Sequence, residues 1–259
     1  MTAIRRALLG ILPKTLLSRS TGLLTRLPIP RRCRGRCYRW FARRYAAQLD
    51  EVPGELTDYP SLAAFFQRPM ATGRRPVAAA PLVWPCDGRI VTAGPLEGSS
   101  IPQIKGSDYE LAELVGDRAL AGRLHGGSQA TIYLAPGDYH RVHAPFDGRV
   151  VAVRAIPGTL FPVNPAAVRA IPGLFVRNAR VVFECLCADG RPAAVVMVAA
   201  LNVGDIRREV EAGASIARGQ EIGRFGFGST TVAVVGPGAP AFGFRPPEAR
   251  VVTGEPAVG

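Results

Sequence analysis

The run Arg180-Val181-Val182-Phe183-Glu184-Cys185-Leu186-Cys187, followed after Asp189-Gly190 and Pro192 by Ala193-Ala194-Val195-Val196-Met197-Val198-Ala199-Ala200, decides the fold class. Both stretches are short, apolar and rich in β-branched residues, and turn-forming residues separate them, which is the pattern of strands. Working outward, the same texture recurs at 89–93, 130–134 and 149–155, with Gly, Pro, Asn and Asp between the runs. From Val77 onward the chain reads as a mainly antiparallel β core with few helices, the clearest helix being 108–114, between Gly106 and Gly116. Pro85-Cys86-Asp87-Gly88-Arg89-Ile90 also echoes Pro145-Phe146-Asp147-Gly148-Arg149-Val150. Asp-Gly between apolar residues signals a hairpin, so the echo reads as two similar turns.

The first sixty residues have a different character. Residues 2–27 read as one or two amphipathic helices broken near Pro13, with Ile4, Leu8, Ile11 and Leu12 on one face and Arg5 and Arg6 off it. A second helix is expected at about 32–48, where Cys33, Cys37, Phe41 and Tyr45 recur every fourth residue among arginines. Such a stripe suits a helix lying in a lipid interface or one packing on the protein's own core. The fold class is therefore α+β, with a basic helical region over 1–59 and a β-rich domain over 60–259.

Charge is concentrated in that helical region. The chain has 32 Lys and Arg against 20 Asp and Glu, and twelve of the basic residues but none of the acidic ones lie before Asp50. The whole excess of +12 thus sits in residues 1–49, which calls for an anionic partner. Nucleic acid is one choice. It is disfavoured because apolar residues interleave with the arginines and no nucleic-acid motif occurs, so a membrane surface bound through Arg5, Arg6, Leu8, Ile11, Leu12 and Lys14 is expected. No apolar run reaches the length of a membrane-spanning helix, and the N-terminus lacks a signal-peptide pattern. Five cysteines without a C-x-x-C pair point to a reduced, cytoplasmic protein. Lys14 and Lys105 are the only lysines, so an enzyme that uses a lysine imine has few candidates.

Two segments can carry chemistry. Of the three histidines, two lie in Asp138-Tyr139-His140-Arg141-Val142-His143-Ala144-Pro145, a density that favours a site. Zinc held by these two and His125 ranks below acid–base use, because the general-base glutamate of a metalloprotease helix is missing; no metal is expected. The other segment is Gly226-Phe227-Gly228-Ser229-Thr230, ahead of the run Thr231-Val232-Ala233-Val234-Val235. Alone it reads as a tight turn entering a strand. With a base nearby, however, the Ser229 hydroxyl can attack the unhindered Gly228 carbonyl and turn the peptide bond into an ester. β-Elimination then leaves dehydroalanine, which hydrolyses to a pyruvoyl group.

Taken together and in order, these segments resemble the phosphatidylserine decarboxylase family in its bacterial, membrane-associated form. The matching stretches are Ser61-Leu62-Ala63-Ala64-Phe65-Phe66-Gln67-Arg68-Pro69, the Pro85–Ile90 hexapeptide, Ile104-Lys105-Gly106, residues 134–145, Asn178-Ala179-Arg180, Asn202-Val203-Gly204 and residues 223–230. They span about residues 60–235, and Phe227 stands where relatives usually carry leucine. The resemblance implies Asp87 as orienting carboxylate, His143 as base for self-cleavage between Gly228 and Ser229, and Ser229 as nucleophile and source of a covalently bound pyruvoyl cofactor. It implies His140 as acid–base partner in removing CO2 from phosphatidylserine to give phosphatidylethanolamine. A two-chain heterodimer of 1–228 and 229–259 follows, with further dimerisation open, held peripherally on the cytoplasmic side of the cell membrane. A pyruvoyl decarboxylase for a soluble amino acid is the alternative, and it gives no reason for the basic first 49 residues.

Overall fold

Apolar runs too short to be helices and too apolar to face water must pair with one another, and they do so at the centre of this protein. A computed structural model describes residues 22–104, 107–200, 206–226, 229–238 and 240–258. The expected membrane-binding residues Arg5, Arg6, Leu8, Ile11, Leu12 and Lys14 lie outside the described residues, as do Lys105-Gly106, Asn202-Val203-Gly204, Phe227 and Gly228.

The strands are β1 Gly88–Pro95, β2 Ser100–Ile104, β3 Ser107–Glu110, β4 Ser128–Leu134, β5 Arg141–His143, β6 Gly148–Ile156, β7 Arg180–Cys187, β8 Pro192–Ala199, β9 Ile206–Arg208, β10 Ser215–Ile216, β11 Glu221–Phe225, β12 Ser229–Val235 and β13 Arg250–Val251. Eight of them form one sheet in the order β10-β6-β7-β8-β12-β4-β1-β13, with antiparallel neighbours throughout. A second sheet runs β5-β11-β9, and β2 pairs with β3. Helices among the described residues include α1 Arg31–Tyr45, α2 Leu62–Phe66, α3 Leu111–Val115, α4 Arg118–Leu124, α5 Pro165–Ala170 and α6 Leu174–Arg177. The architecture is α+β.

Every residue of β12 is buried, as are the apolar residues of β8, because layers cover both faces of the large sheet. On one face lie α3 and α4. There the buried Arg180 of β7 donates to the Leu114 and Glu113 carbonyls. On the other lies the β5-β11-β9 sheet, so close that a Cβ on Gly223 would meet Met197 Sδ at 2.7 Å. Ser229 pairs with Ala199, and Thr231 with Met197. Directly paired residues share a face, so the Ser229 side chain points toward the smaller sheet.

Near the N-terminus a small separate core forms from Tyr38, Phe41, Ala42, Ala47, Phe65 and Phe66. The expected helix at 32–48 is α1, which stops at Ala46 in the left-handed region (φ 57°). Its buried face is Tyr38, Phe41 and Ala42 rather than the expected Cys33–Cys37–Phe41–Tyr45 stripe; Cys33 is exposed. The stripe through Phe41 thus packs on the protein's own α2, where Tyr38 stacks on Phe65 at 4.4 Å.

Two other expectations change. Of the helix expected at 108–114, the first residues pair as β3: Tyr109 opposes Ile101 and both are buried, so the helix begins only at Leu111. The Asp87-Gly88 and Asp147-Gly148 echoes are not hairpins but bends entering β1 and β6. The bends are neighbours in space, since the Val83 amide donates to Pro145 O (2.9 Å) and the His143 amide to Pro85 O (2.7 Å).

The helical region meets the β domain at Gly137, where a Cβ would stand 2.0 Å from Tyr45 O and 3.0 Å from Ala47 N. Gly137→Ala is expected to cost about 1–3 kcal/mol through forced overlap with backbone. Urea unfolding checks this; an unchanged midpoint contradicts so tight a contact.

Candidate active site

Two chain crossings between the sheets lie side by side. β4 ends at Leu134, and residues 135–140 carry the chain across to β5. The three residues 226–228 carry it back from β11 to β12. Leu134 pairs with Ser229, and the Phe225 amide donates to His140 O at 3.0 Å, so the crossings are tied together at both ends. Beside them, Gly88 begins β1 so close to β4 that a Cβ would stand 2.4 Å from Tyr133 O, a place only glycine fits. Asp87 precedes it. The structure thus gathers Asp87, His140, His143 and Ser229 at one end of the large sheet.

The crossing at 135–140 is shaped by Asp138, whose carboxylate accepts from the Ala135 amide (2.8 Å). That turn presents the Asp138 carbonyl to His140 Nδ1 at 2.8 Å. A carbonyl can only accept, so Nδ1 carries the proton and Nε2 is left with a lone pair. His140 is fully buried, its ring 4.0 Å from that of Phe66, and its Nε2 has no hydrogen-bond partner among the described residues. Burial pushes its pKa down to about 3, against a smaller upward effect from the Asp138 carbonyl and Asp87.

The same logic fixes His143. Its Nδ1 lies 2.8 Å from Gly219 O and donates; its Nε2, 3.2 Å from the Tyr139 oxygen, accepts from that hydroxyl. Burial again lowers the pKa, opposed by the Gly219 carbonyl and by the charges of Glu221 and Asp87. Tyr139 is pushed up to about 12, mostly by burial, and stays a donor. Both imidazoles are therefore neutral near pH 7, with basic nitrogens at Nε2.

Asp87 is 2% exposed and binds neither imidazole directly. Its Oδ1 accepts from the Thr253 amide (2.9 Å) and hydroxyl (2.8 Å), and its Oδ2 from Arg75 Nη2 (2.6 Å). Arg75 turns its other edge to Glu51, with two bonds of 2.8 Å. Burial acts to lower the Arg75 pKa, but the hydrogen bonds to Asp87 and Glu51 outweigh it and hold the guanidinium charged. Asp87 reaches the histidines through its field, which favours the charged form of both.

Ser229 is fully buried and its Oγ has no hydrogen-bond partner among the described residues. An orphaned buried hydroxyl is uncommon and costly, about 1–3 kcal/mol, and is typical of sites kept for chemistry. A buried hydroxyl at the sheet end that also holds two imidazoles with basic Nε2 atoms is a candidate nucleophile. Sequence reading did not single out Arg75, Thr253 or Gly219; Phe66 and Tyr139, quoted in their motifs, had no role. The zinc alternative loses its third ligand, because His125 sits at the end of α4 beside Gly98. Among the described residues no three His, Cys, Asp or Glu converge as a metal site.

The family model described as phosphatidylserine decarboxylase matches residues 62–258. The chain is 41% identical to a phosphatidylserine decarboxylase proenzyme of Anaeromyxobacter sp. (strain K), over 97% of this chain and 96% of that one. It is 36% identical to the proenzyme of that name from Myxococcus xanthus (89% and 88% covered) and 39% to that from Pseudomonas aeruginosa (90% and 88%).

The neutral burial of His140 has a signed consequence. Unfolded, its pKa is about 6.5; folded, it is about 3. Between these values the unfolded chain binds a proton that the folded one does not, so stability rises with pH across the window and is lost on acidification. In a Ser229→Ala background, His140→Gln is expected to remove up to about 1.4 kcal/mol per pH unit from the slope of unfolding free energy between pH 4 and 6. Parallel slopes in denaturant titrations contradict the burial described.

Proposed function

This chain belongs to the phosphatidylserine decarboxylase family, and we propose that it is a precursor that cuts itself between Gly228 and Ser229 and then works as a pyruvoyl enzyme at a membrane surface. The activity is conversion of phosphatidylserine to phosphatidylethanolamine and CO2. One observation carries the self-cleavage reading: the buried Ser229 Oγ, without a partner among the described residues, at the sheet end that also holds two neutral imidazoles.

Cleavage follows from the chain's own groups. Ser229 Oγ attacks the Gly228 carbonyl while His143 Nε2 takes the hydroxyl proton; the C–O bond forms, the C–N bond breaks, and the freed amine of residue 229 receives the proton. The field of Asp87 stabilises the transient imidazolium, and the Arg75 and Thr253 bonds keep that carboxylate in place. Tyr139 covers the His143 lone pair in the uncut chain, so it swings aside or relays the proton. Loss of the Cα proton then expels the Gly228 carboxylate, and water converts the resulting dehydroalanine to a ketone with release of ammonia.

When present, the pyruvoyl group supplies a carbon that condenses with the substrate amine and a sink for the electron pair released with CO2. His140 moves protons: its neutral Nε2 takes one as the substrate ammonium gives up its hydrogens, and returns it to the carbon that lost CO2. Phe66 over its ring excludes water from that exchange.

Membrane placement rests on the basic, apolar residues 1–49 and on Leu23, Leu24 and Leu27, which are 67%, 64% and 54% exposed. No described helix is long and apolar enough to cross a membrane. The proposed assembly is peripheral, on the cytoplasmic face, with chains 1–228 and 229–259 held together.

Purified wild-type protein is expected to give two chains by denaturing gel and mass, the smaller blocked at its N-terminus, and Ser229→Ala a single inactive chain. An uncut wild type that still releases CO2 contradicts the mechanism. The histidines divide the work: His143→Asn is expected to slow cleavage by about 10²–10⁴-fold, while His140→Gln is expected to yield cut protein without turnover. The opposite pattern exchanges their roles.

A further inference from the structure

The small sheet carries a feature that proton transfer does not use. Arg224 of β11 lies directly opposite Arg141 of β5 on one side and Arg207 of β9 on the other. Three like charges aligned across adjacent strands destabilise a sheet unless something offsets them. Gly223 turns its Cβ side to Met197 of the large sheet, so by the pleat Arg224 faces outward. There the three arginines, with Arg26, Ser61 and Gln67, line a cleft of about 470 Å³ against α2. Glu221 pairs with Arg141 (2.6 Å) and Arg224 (3.2 Å), and Glu209 with Arg224 (2.7 Å). These two carboxylates brace the row, yet among the described residues no acidic side chain lines the cleft.

Planar guanidinium forks match the oxygens of a phosphate, and several converging on one space mark an anion site. The surroundings narrow the kind of anion. Arg26 lies in sequence between Leu24 and Leu27, both exposed, so the segment that brings Arg26 to the cleft also carries apolar side chains that suit a lipid interface. Arg141 follows His140, and the carbonyl of Phe225, the residue after Arg224, accepts from Gln67 Nε2 at 3.2 Å. The cleft is therefore built on the strands that hold the catalytic end.

We propose that Arg141, Arg224, Arg207 and Arg26 form a phosphate-binding cleft that takes the headgroup phosphate of a phospholipid and seats the catalytic end of the sheet against the bilayer. This rests on the membrane-surface reading above.

The test is flotation of full-length wild-type, Arg207→Gln and Arg208→Gln proteins with phosphatidylcholine vesicles, with and without phosphatidylglycerol. Arg208, next to Arg207 on β9, does not line the cleft and stands 3.7 Å from Glu211. Arg207→Gln is expected to weaken binding to the anionic vesicles about fivefold, the equivalent of about 1 kcal/mol, and Arg208→Gln less than twofold. Equal losses reveal diffuse charge attraction and overturn the cleft, as does an unchanged Arg207→Gln. Equal thermal midpoints for the two variants establish that the fold held. Inorganic phosphate should displace wild-type protein from vesicles more than chloride at matched ionic strength, and this excess should vanish in Arg207→Gln. Phosphate binding with no flotation difference between the variants makes this a free-phosphate site and overturns the lipid assignment. Short-chain phosphatidylserine in non-ionic micelles identifies the source: a raised KM in Arg207→Gln means the substrate's own phosphate, and an unchanged KM with weakened flotation means a neighbouring lipid's. Wild-type self-cleavage on a gel is scored separately, so failure of the pyruvoyl reading is distinguishable from failure of the cleft.

Discussion

Strand β12 is hydrogen-bonded along its whole length on both edges, and it begins at Ser229. That constraint governs the rest. The serine cannot drift, because the residues after it are pinned between β4 and β8 in a fully buried layer. The smaller sheet's β11 ends at Phe225 and the large sheet's β12 begins at Ser229, so the proposed cut falls where regular pairing starts. A break there costs the fold little. Residues beyond 229 remain anchored by β12, by β13 on β1, and by bonds such as Trp84 N to Glu255 O (2.9 Å) and Ala257 N to Leu82 O (2.9 Å). A short second chain would stay in place without a covalent tie.

The same rigidity explains why polar groups there are left short of partners. Among the described residues the buried Ser229 and Thr230 hydroxyls and His140 Nε2 find no hydrogen-bond partner, each at a cost of about 1–3 kcal/mol. A large apolar core offsets that cost. Burial keeps the imidazoles neutral, and a neutral imidazole with a free Nε2 is the form that accepts a proton. Asp87 belongs to a different layer of the design. Its bonds run outward through Arg75 to Glu51, so the carboxylate beside the site is mechanically joined to the chain just after α1.

Much of this was legible in the sequence, for reasons particular to the residues. The strands at 180–187 and 193–200 were readable because their apolar content leaves no other packing. The Tyr-His-Arg-x-His and Gly-Ser-Thr runs were readable as motifs, and chain order brought them together. The 108–114 segment was misread because local helix signals cannot weigh the pairing of Tyr109 with Ile101. The α1 stripe failed at its edges: a strict spacing of four drifts around a helix of 3.6 residues per turn, and the buried face follows Tyr38, Phe41 and Ala42 instead. Arg75, Thr253 and Gly219 carry no local pattern at all. Their roles exist only through contacts across long stretches of chain. The arginine row was hidden likewise, since positions 141, 207 and 224 meet only through strand register.

The central claim is that residue 229 presents the carbonyl that meets the substrate amine. Reducing the enzyme with cyanoborohydride during turnover of phosphatidylserine, then sequencing peptides by mass, tests it directly. The account predicts a secondary amine on residue 229, at the head of the shorter chain. An adduct on Lys14 or Lys105, the only lysines in the chain, or sustained turnover with no adduct at residue 229, would contradict it.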